Sequence, residues 1–288
     1  MTPDAEPSRK VWQPLIWIFL ALALAIAVRF SSGSLFLTIL RRTSVLPGNS
    51  WVPFTALVEA LPYGCLVLFS IWFILKKKVI DINLLGLGRP SFSTNGLIGV
   101  RVASLLVLTR LLIFVFPGDP SRALPQQPSF WHEAMLDNPL LLLFWFGQMS
   151  LLGPIAEEIF FRGCLYTSLK FVTSKRTAIG VSTAVWVLTH KLTSFPQAVV
   201  LIILGLIFVA LYESRKSLIP PIIAHVAESF SWTLLLWYGW FSNQGIINLP
   251  TKMLGLSLGI LLLLLFWILG LIQHRTRGGL AKPSSTTP

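Results

Sequence analysis

The sequence predicts an all-α, polytopic membrane protein, a bundle of about eight transmembrane helices with almost no soluble domain. Two compositional observations support this fold class: 54% of the 288 residues are hydrophobic and only 12% are charged, whereas soluble domains carry about 25% charged residues. The third observation is that apolar runs of about the length of one membrane crossing recur along the chain. So little polar surface cannot cover so many apolar segments in water.

Eight apolar segments are candidates for membrane-crossing helices. They are residues 11–28, 51–75, 97–116, 139–171, 177–190, 196–212, 219–240 and 254–273. The fourth segment is too long for a straight crossing and contains Gly153-Pro154. A helix break is expected there because proline lacks a backbone donor and clashes with the preceding turn. The fifth segment is short, which places its end inside the membrane or in a cavity.

Polar segments indicate the domain organisation. Residues 1–10 form a polar amino-terminal segment, residues 11–273 one membrane domain with its core at about 139–240, and residues 274–288 a disordered tail rich in Ser, Thr and Pro. Lys and Arg are enriched in cytoplasmic loops, and their distribution here favours both termini in the cytoplasm. Short loops and the lack of a transit segment favour a bacterial plasma membrane, with the protein as a multi-pass component of the cell membrane.

The net charge of +12 does not indicate nucleic acid binding, because the Lys and Arg residues lie in short clusters between apolar runs. We therefore expect the lipid bilayer, and no nucleic acid, as a partner. Cys65 and Cys164 lie within hydrophobic stretches and have no CxxC spacing. They are interpreted as core thiols.

Ionisable residues inside three predicted spans are the functional candidates, because such groups are costly in a membrane. Glu157, Glu158 and Arg162 follow the Gly-Pro pair, His190 ends the fifth span, and His225 lies in the seventh. Glu158 and Arg162 are four residues apart, so they share a helix face and can pair. Glu157 points about 100° away from Glu158. One carboxylate is then structural, and the other is available as a general base.

The three clusters are predicted to lie at similar depth. Counted along regular helices from the nearest basic clusters, Glu157 and His190 lie about 20 Å deep, and His225 about 14 Å deep. We therefore expect the three side chains to converge. A carboxylate and two imidazoles can bind a divalent metal such as zinc or, without a metal, hold and activate a water molecule. A simpler interpretation is a buried ion pair that joins two helices and two hydrogen-bonded core histidines.

The order of the clusters resembles the CAAX protease and bacteriocin-processing (CPBP) family, which includes ABI-type intramembrane proteases and type II CAAX prenyl endopeptidases. That family has Glu-Glu-x-x-x-Arg, then Phe-x-x-x-His, then His-x-x-x-Asn or Asp, on successive membrane helices. Glu157, Glu158 and Arg162 match the first motif. His190 matches the second, with Trp186 in place of Phe.

The third motif is matched in part. His225 is present, but Ser229 stands where the family has Asn or Asp. Serine is shorter than Asn and cannot donate two amide hydrogens. This difference weakens oxyanion stabilisation or leaves a gap that water fills.

The resemblance implies hydrolysis of a peptide bond by a water molecule that Glu157 deprotonates. It also implies that His190 and His225 bind a divalent metal together with Glu157, or stabilise the oxyanion in a metal-free version, while Glu158 and Arg162 support the site. The expected substrate is a peptide or a membrane-anchored protein near the bilayer.

Two other functions are considered. A catalytically silent membrane binding protein, acting in self-immunity or like a chaperone, is favoured by Ser229. A transporter would use the same ionisable residues as a relay or substrate site, but the sequence has no paired halves with broken helices.

Overall fold

The structure, a computed structural model, describes residues 15–23, 52–77, 89–115, 138–190, 192, 194–243, 257, 261, 264, 265 and 268. Within these residues the protein is helical and contains no strand, as predicted. Helix α1 comprises residues 15–23. The others are α2 (Val52–Lys77), α3 (Arg89–Val115), α4 (Pro139–Val172), α5 (Lys175–Leu188), α6 (Phe195–Arg215) and α7 (Ile219–Asn243).

Three of these helices are long and apolar enough to cross a membrane: Pro139–Val172, Phe195–Arg215 and Ile219–Trp237. In α2, Ala60–Phe73 is a shorter apolar helix. The protein is therefore a multi-pass membrane helix bundle. The predicted spans at 11–28 and 254–273 fall only partly within the described residues, so the number eight stays a prediction. The terminal segments 1–10 and 274–288 lie outside the described residues.

The prediction of a helix break at Gly153-Pro154 is wrong, because α4 continues through this pair as one helix of 34 residues. The segment Gln148–Leu152, just before the proline, is π-helical. There the Gly153 N–H donates to the Gln148 carbonyl, five residues back. A π turn is wider than an α turn, and such local widening re-arranges the backbone around a proline without ending the helix.

Polar caps fix where the helices around the site begin. The Asn138 side chain accepts a hydrogen bond from the Leu141 N–H at the start of α4. Ser174 and Ser194 cap α5 and α6 in the same way. Each cap satisfies a backbone donor that the first helical turn leaves unpaired. Because the connections before α5 and α6 are short, these helices pack beside α4.

The core between α4, α5 and α6 is aromatic. Phe160, Phe161, Trp186 and Phe208 are almost completely buried. Helix α6 approaches α5 closely at Gly205, where a Cβ atom would lie 2.8 Å from Thr183 Cγ2 and 3.1 Å from Trp186 Cε3. Only glycine permits this approach, which sets the position of Trp186 against α6.

Helices α4 and α7 run antiparallel and carry the site between them. Near one end, the rings of Trp145 and Trp237 lie 6.1 Å apart. Further along α4, Glu158 contacts His225 of α7. The α4 side of this contact is the second π-helical segment, Glu158–Tyr166. Segments of this kind are frequent at functional sites.

Candidate active site

A buried ion pair forms the base of the site. Arg162 Nη1 donates to Glu158 Oε1 at 2.8 Å, and both side chains are almost fully buried. Arg162 Nη2 lies 3.4 Å from the Gly205 carbonyl oxygen. The guanidinium also lies over the rings of Trp186 and Phe208, with its carbon 4.9 Å and 5.4 Å from their centroids. The charge of Arg162 is therefore compensated on several sides, as a buried charge requires.

His225 is held by the same carboxylate. Its Nδ1 lies 2.8 Å from Glu158 Oε1, and its ring stacks on Phe208 with centroids 4.6 Å apart. A carboxylate accepts hydrogen bonds, so Nδ1 is the protonated nitrogen of the imidazole. The other nitrogen, Nε2, lies 4.0 Å from Glu157 Oε2. The ion pair thus determines which nitrogen of His225 faces Glu157.

His190 is oriented by a backbone group. Its Nδ1 lies 2.9 Å from the carbonyl oxygen of Trp186, one turn earlier at the end of α5. Because a carbonyl only accepts, Nδ1 carries the proton here as well. His190 Nε2 then lies 3.8 Å from Glu157 Oε2. The His190 side chain is 24% exposed, against 7% for Glu157, so it lies at the more open side of the site.

Glu157 contacts α5. Its Oε2 accepts a hydrogen bond of 2.6 Å from the indole Nε1–H of Trp186. The same oxygen is the one that both imidazole Nε2 atoms approach. The structure thus brings together the carboxylate and the two histidines that the sequence predicted to converge, and adds an indole donor.

The separations around Glu157 suit a small bridging molecule. Distances of 3.8 Å and 4.0 Å are too long for direct hydrogen bonds, and a water molecule is the usual bridge across such a gap. A water placed there can donate one proton to Glu157 Oε2 and contact an imidazole Nε2. The arrangement can therefore hold a water molecule against a general base.

The same three groups are the metal ligands that the resemblance implies. Imidazole nitrogen and carboxylate oxygen are donors that zinc accepts at about 2.0–2.2 Å, with the outer imidazole N–H bonded to a carboxylate or carbonyl. His190 and His225 have that outer bonding. Among the described residues, however, no group of three or more His, Cys, Asp or Glu side chains is arranged to hold an ion. Metal binding therefore stays a prediction.

Ser229 lies one turn beyond His225 on α7 and is half-buried. Its carbonyl accepts a hydrogen bond from Thr233 Oγ1.

The neighbouring Glu228 forms an ion pair with Arg110 of α3, and the Arg110 guanidinium carbon lies 4.5 Å from the centroid of the Trp232 ring. Glu228 is therefore engaged with α3 and does not take the place of the missing amide at position 229.

Two contacts could not be identified by reasoning from the sequence. Arg110 has a buried partner, Glu228, that only the packing of α3 against α7 reveals. Trp186 was taken as an aromatic replacement for Phe, whereas its N–H contacts Glu157. The chemical difference between Trp and Phe, a buried indole donor that needs an acceptor, was the available signal.

The fold and the site define a multi-pass helical membrane protein whose ionisable groups meet inside the bundle. Residues 139–231 match the family described as type II CAAX prenyl endopeptidase Rce1-like. This region, which contains the three motifs, is therefore similar to that endopeptidase family. Comparison with curated proteins and with solved structures gave no match.

Proposed function

We propose that this protein hydrolyses a peptide bond near the bilayer, with Glu157 as the general base that activates water. The observation that carries the proposal is that His190 Nε2 and His225 Nε2 approach the same oxygen of Glu157, at 3.8 Å and 4.0 Å. The family match supports a protease, and the geometry supports this division of roles.

In the proposed step, Glu157 takes a proton from water and the resulting hydroxide attacks the carbonyl carbon of the scissile bond. The carbonyl oxygen becomes an oxyanion, which an imidazolium ring, protonated on Nε2 in addition to Nδ1, stabilises by donating its Nε2–H. When the C–N bond breaks, the proton on Glu157 passes to the leaving nitrogen. Glu158 and Arg162 act on the site through the orientation of His225.

A chelator distinguishes a metal-dependent from a metal-free version of this hydrolysis. A zinc ion, when bound by Glu157, His190 and His225, would polarise the carbonyl or the water. If the enzyme depends on such an ion, 1,10-phenanthroline abolishes cleavage and added zinc restores it. If it does not, cleavage is unchanged by the chelator.

The substrate class follows from the family and the location of the site. We propose a peptide or membrane-anchored protein, such as a prenylated carboxy-terminal tail or a bacteriocin leader, cut at the membrane. We further propose cytoplasmic termini, supported by the distribution of Lys and Arg, and a bacterial plasma membrane, which the short loops favour.

The test compares wild type with Glu157→Gln in liposomes, using prenylated and leader peptides and mass spectrometry of the products. The variant keeps the size of the side chain but cannot accept the proton, so cleavage should fall by at least about 100-fold. Glu213→Gln is the matched control, because Glu213 lies outside the site, at the carboxyl end of α6, where it contacts Lys170, Lys175 and Lys216. Equal cleavage by wild type and Glu157→Gln would contradict the proposal.

Ser229 favours a second candidate, a binding protein without catalytic activity, because its hydroxyl is shorter than an amide side chain and donates one hydrogen, which weakens oxyanion stabilisation. A binding protein should retain its peptide ligand when Glu157 is changed to Gln, and wild type should not cleave it. Binding measured on the same liposomes, alongside product analysis, distinguishes the two functions.

A further inference from the structure

We propose that Trp186 is a positioning residue for the general base, through the hydrogen bond from its indole N–H to Glu157. This inference rests on the proposed function, because it assigns Trp186 a role in the same reaction. The family motif has Phe at this place, and Phe can pack but cannot donate a hydrogen bond. Trp186 therefore gives this chain a contact that the motif does not contain.

The first argument is the contact itself. Trp186 is 1% exposed, and its Nε1–H donates to Glu157 Oε2 at 2.6 Å. A hydrogen bond between a neutral donor and a carboxylate is shorter and stronger than one between neutral groups. In a buried site neither partner can exchange the bond for one to bulk water, so the bond fixes the carboxylate.

The second argument is which oxygen is bonded. Oε2 is also the oxygen that His190 Nε2 and His225 Nε2 approach. A carboxylate oxygen has two lone-pair directions. The indole N–H occupies one of them, on the oxygen that both imidazoles approach. The indole thus restricts the directions from which a water molecule can meet this oxygen.

The third argument is that the indole is itself held in place. Its ring packs edge-on against His190 and His225, with centroids 4.6 Å and 5.6 Å away. The Arg162 guanidinium carbon lies 4.9 Å from the ring centroid, and Gly205 allows α6 to pack close to the ring. Trp186 also accepts, through its carbonyl, the bond from His190 Nδ1. One residue therefore orients both the base and a histidine.

The kinetic test is Trp186→Phe, which keeps a buried aromatic ring and removes the donor. Loss of a hydrogen bond to a charged group should lower kcat by about 10- to 100-fold, with KM within about twofold of wild type. Trp145→Phe is the matched control, because Trp145 is a buried indole that packs against Trp237 on the same bundle. An unchanged kcat, or a change confined to KM, would overturn the proposal.

A spectroscopic test does not depend on activity or on folding of Trp186→Phe. In protein labelled with ¹⁵N at the indole nitrogens, the Trp186 N–H resonance should shift when Glu157 is changed to Ala and stay in place in Glu213→Gln. A Trp186 resonance that is insensitive to Glu157→Ala would show that the bond is absent and would contradict the inference. If instead the resonance shifts but wild type cleaves no peptide, the contact stands and the proposed function fails.

Discussion

Each polar side chain at the centre of the site is held by a group that determines which atom faces its neighbour. Glu158 holds Nδ1 of His225, and the Trp186 carbonyl holds Nδ1 of His190. Both Nε2 atoms are thereby directed to Glu157. Positioning of reactive groups by a second layer of hydrogen bonds is a general requirement of precise active sites.

Arg162→Ala should be strongly destabilising. It removes one partner of a buried ion pair and leaves the Glu158 carboxylate without compensation, which costs about 3–5 kcal/mol. Thermal unfolding in detergent, followed by circular dichroism, measures the effect. Lys175→Ala is the control: its side chain is 57% exposed in an ion pair with Glu213, so the loss should be below about 1 kcal/mol. Equal effects of the two variants would show that the buried pair has no special role.

Much of the residue-level arrangement follows from spacing along the chain. The Glu158–Arg162 contact is the expected consequence of an i,i+4 pair on a helix. The Arg110–Glu228 ion pair could not be predicted, because it joins two helices far apart in sequence. The Trp186 contact requires knowing the orientation of an indole ring, which the sequence does not specify.

At the scale of helices, α4 is the element that builds the site. Its π-helical segment Gln148–Leu152 carries the chain through the Gly-Pro pair, and the second, Glu158–Tyr166, presents Glu158 and Arg162 to the bundle. Positions of helices were predictable from runs of apolar residues. The continuity of α4 was not, because a widened turn that accommodates proline leaves no periodic signal in an apolar segment.

Gly205→Ala should separate α5 from α6. The added methyl group would meet Thr183 Cγ2 and the Trp186 ring at 2.8–3.1 Å, and overpacking of this kind costs about 1–3 kcal/mol. Because Trp186 is displaced, cleavage should fall along with stability. Melting temperature and peptide cleavage are the measurements.

Gly180→Ala is the matched control for this substitution. Gly180 lies on α5, and a Cβ atom added there would have nothing within 4 Å. Alanine is the better helix former by about 1 kcal/mol, so stability should be unchanged or slightly higher and cleavage should be retained. A Gly205→Ala protein as stable and active as Gly180→Ala would contradict the close packing described.

At the scale of the whole molecule, α5 connects the site at its carboxyl end with a basic cluster at its amino end. Helix α5 has 14 residues, about 21 Å of helix, which is shorter than the hydrocarbon core of a bilayer, about 30 Å. His190 follows its last turn. At the opposite end, Lys170, Lys175 and Lys216 surround Glu213. The prediction that the fifth span is short agrees with this helix.

The basic cluster predicts the orientation of the bundle, because Lys and Arg are retained on the cytoplasmic side. In protein without Cys65 and Cys164, Lys175→Cys should react with an impermeant maleimide only after access to the cytoplasmic face. Leu192→Cys, at an exposed position in the α5–α6 connection, should react in intact cells. The reverse labelling pattern would contradict the predicted topology.

The fold class was predictable because composition and apolar runs indicate a chain that lies in lipid. The similarity to the endopeptidase family was predictable because the three motifs occur in order within residues 139–231. The number of membrane-crossing helices was harder to predict from the sequence. Residues 11–28 and 254–273 are apolar enough to cross, yet apolarity alone does not show how a helix is placed against the bundle.

The most direct test of the central claim is a single-turnover cleavage in H₂¹⁸O with wild type and Glu157→Gln, followed by mass spectrometry of product and enzyme. If Glu157 activates water, the new carboxy terminus carries one ¹⁸O atom in the wild type, Glu157 itself stays unlabelled, and the variant forms almost no product. Label incorporated into the Glu157 carboxylate would indicate a covalent intermediate on that residue, and product formation by the variant at the wild-type rate would show that another group activates the water.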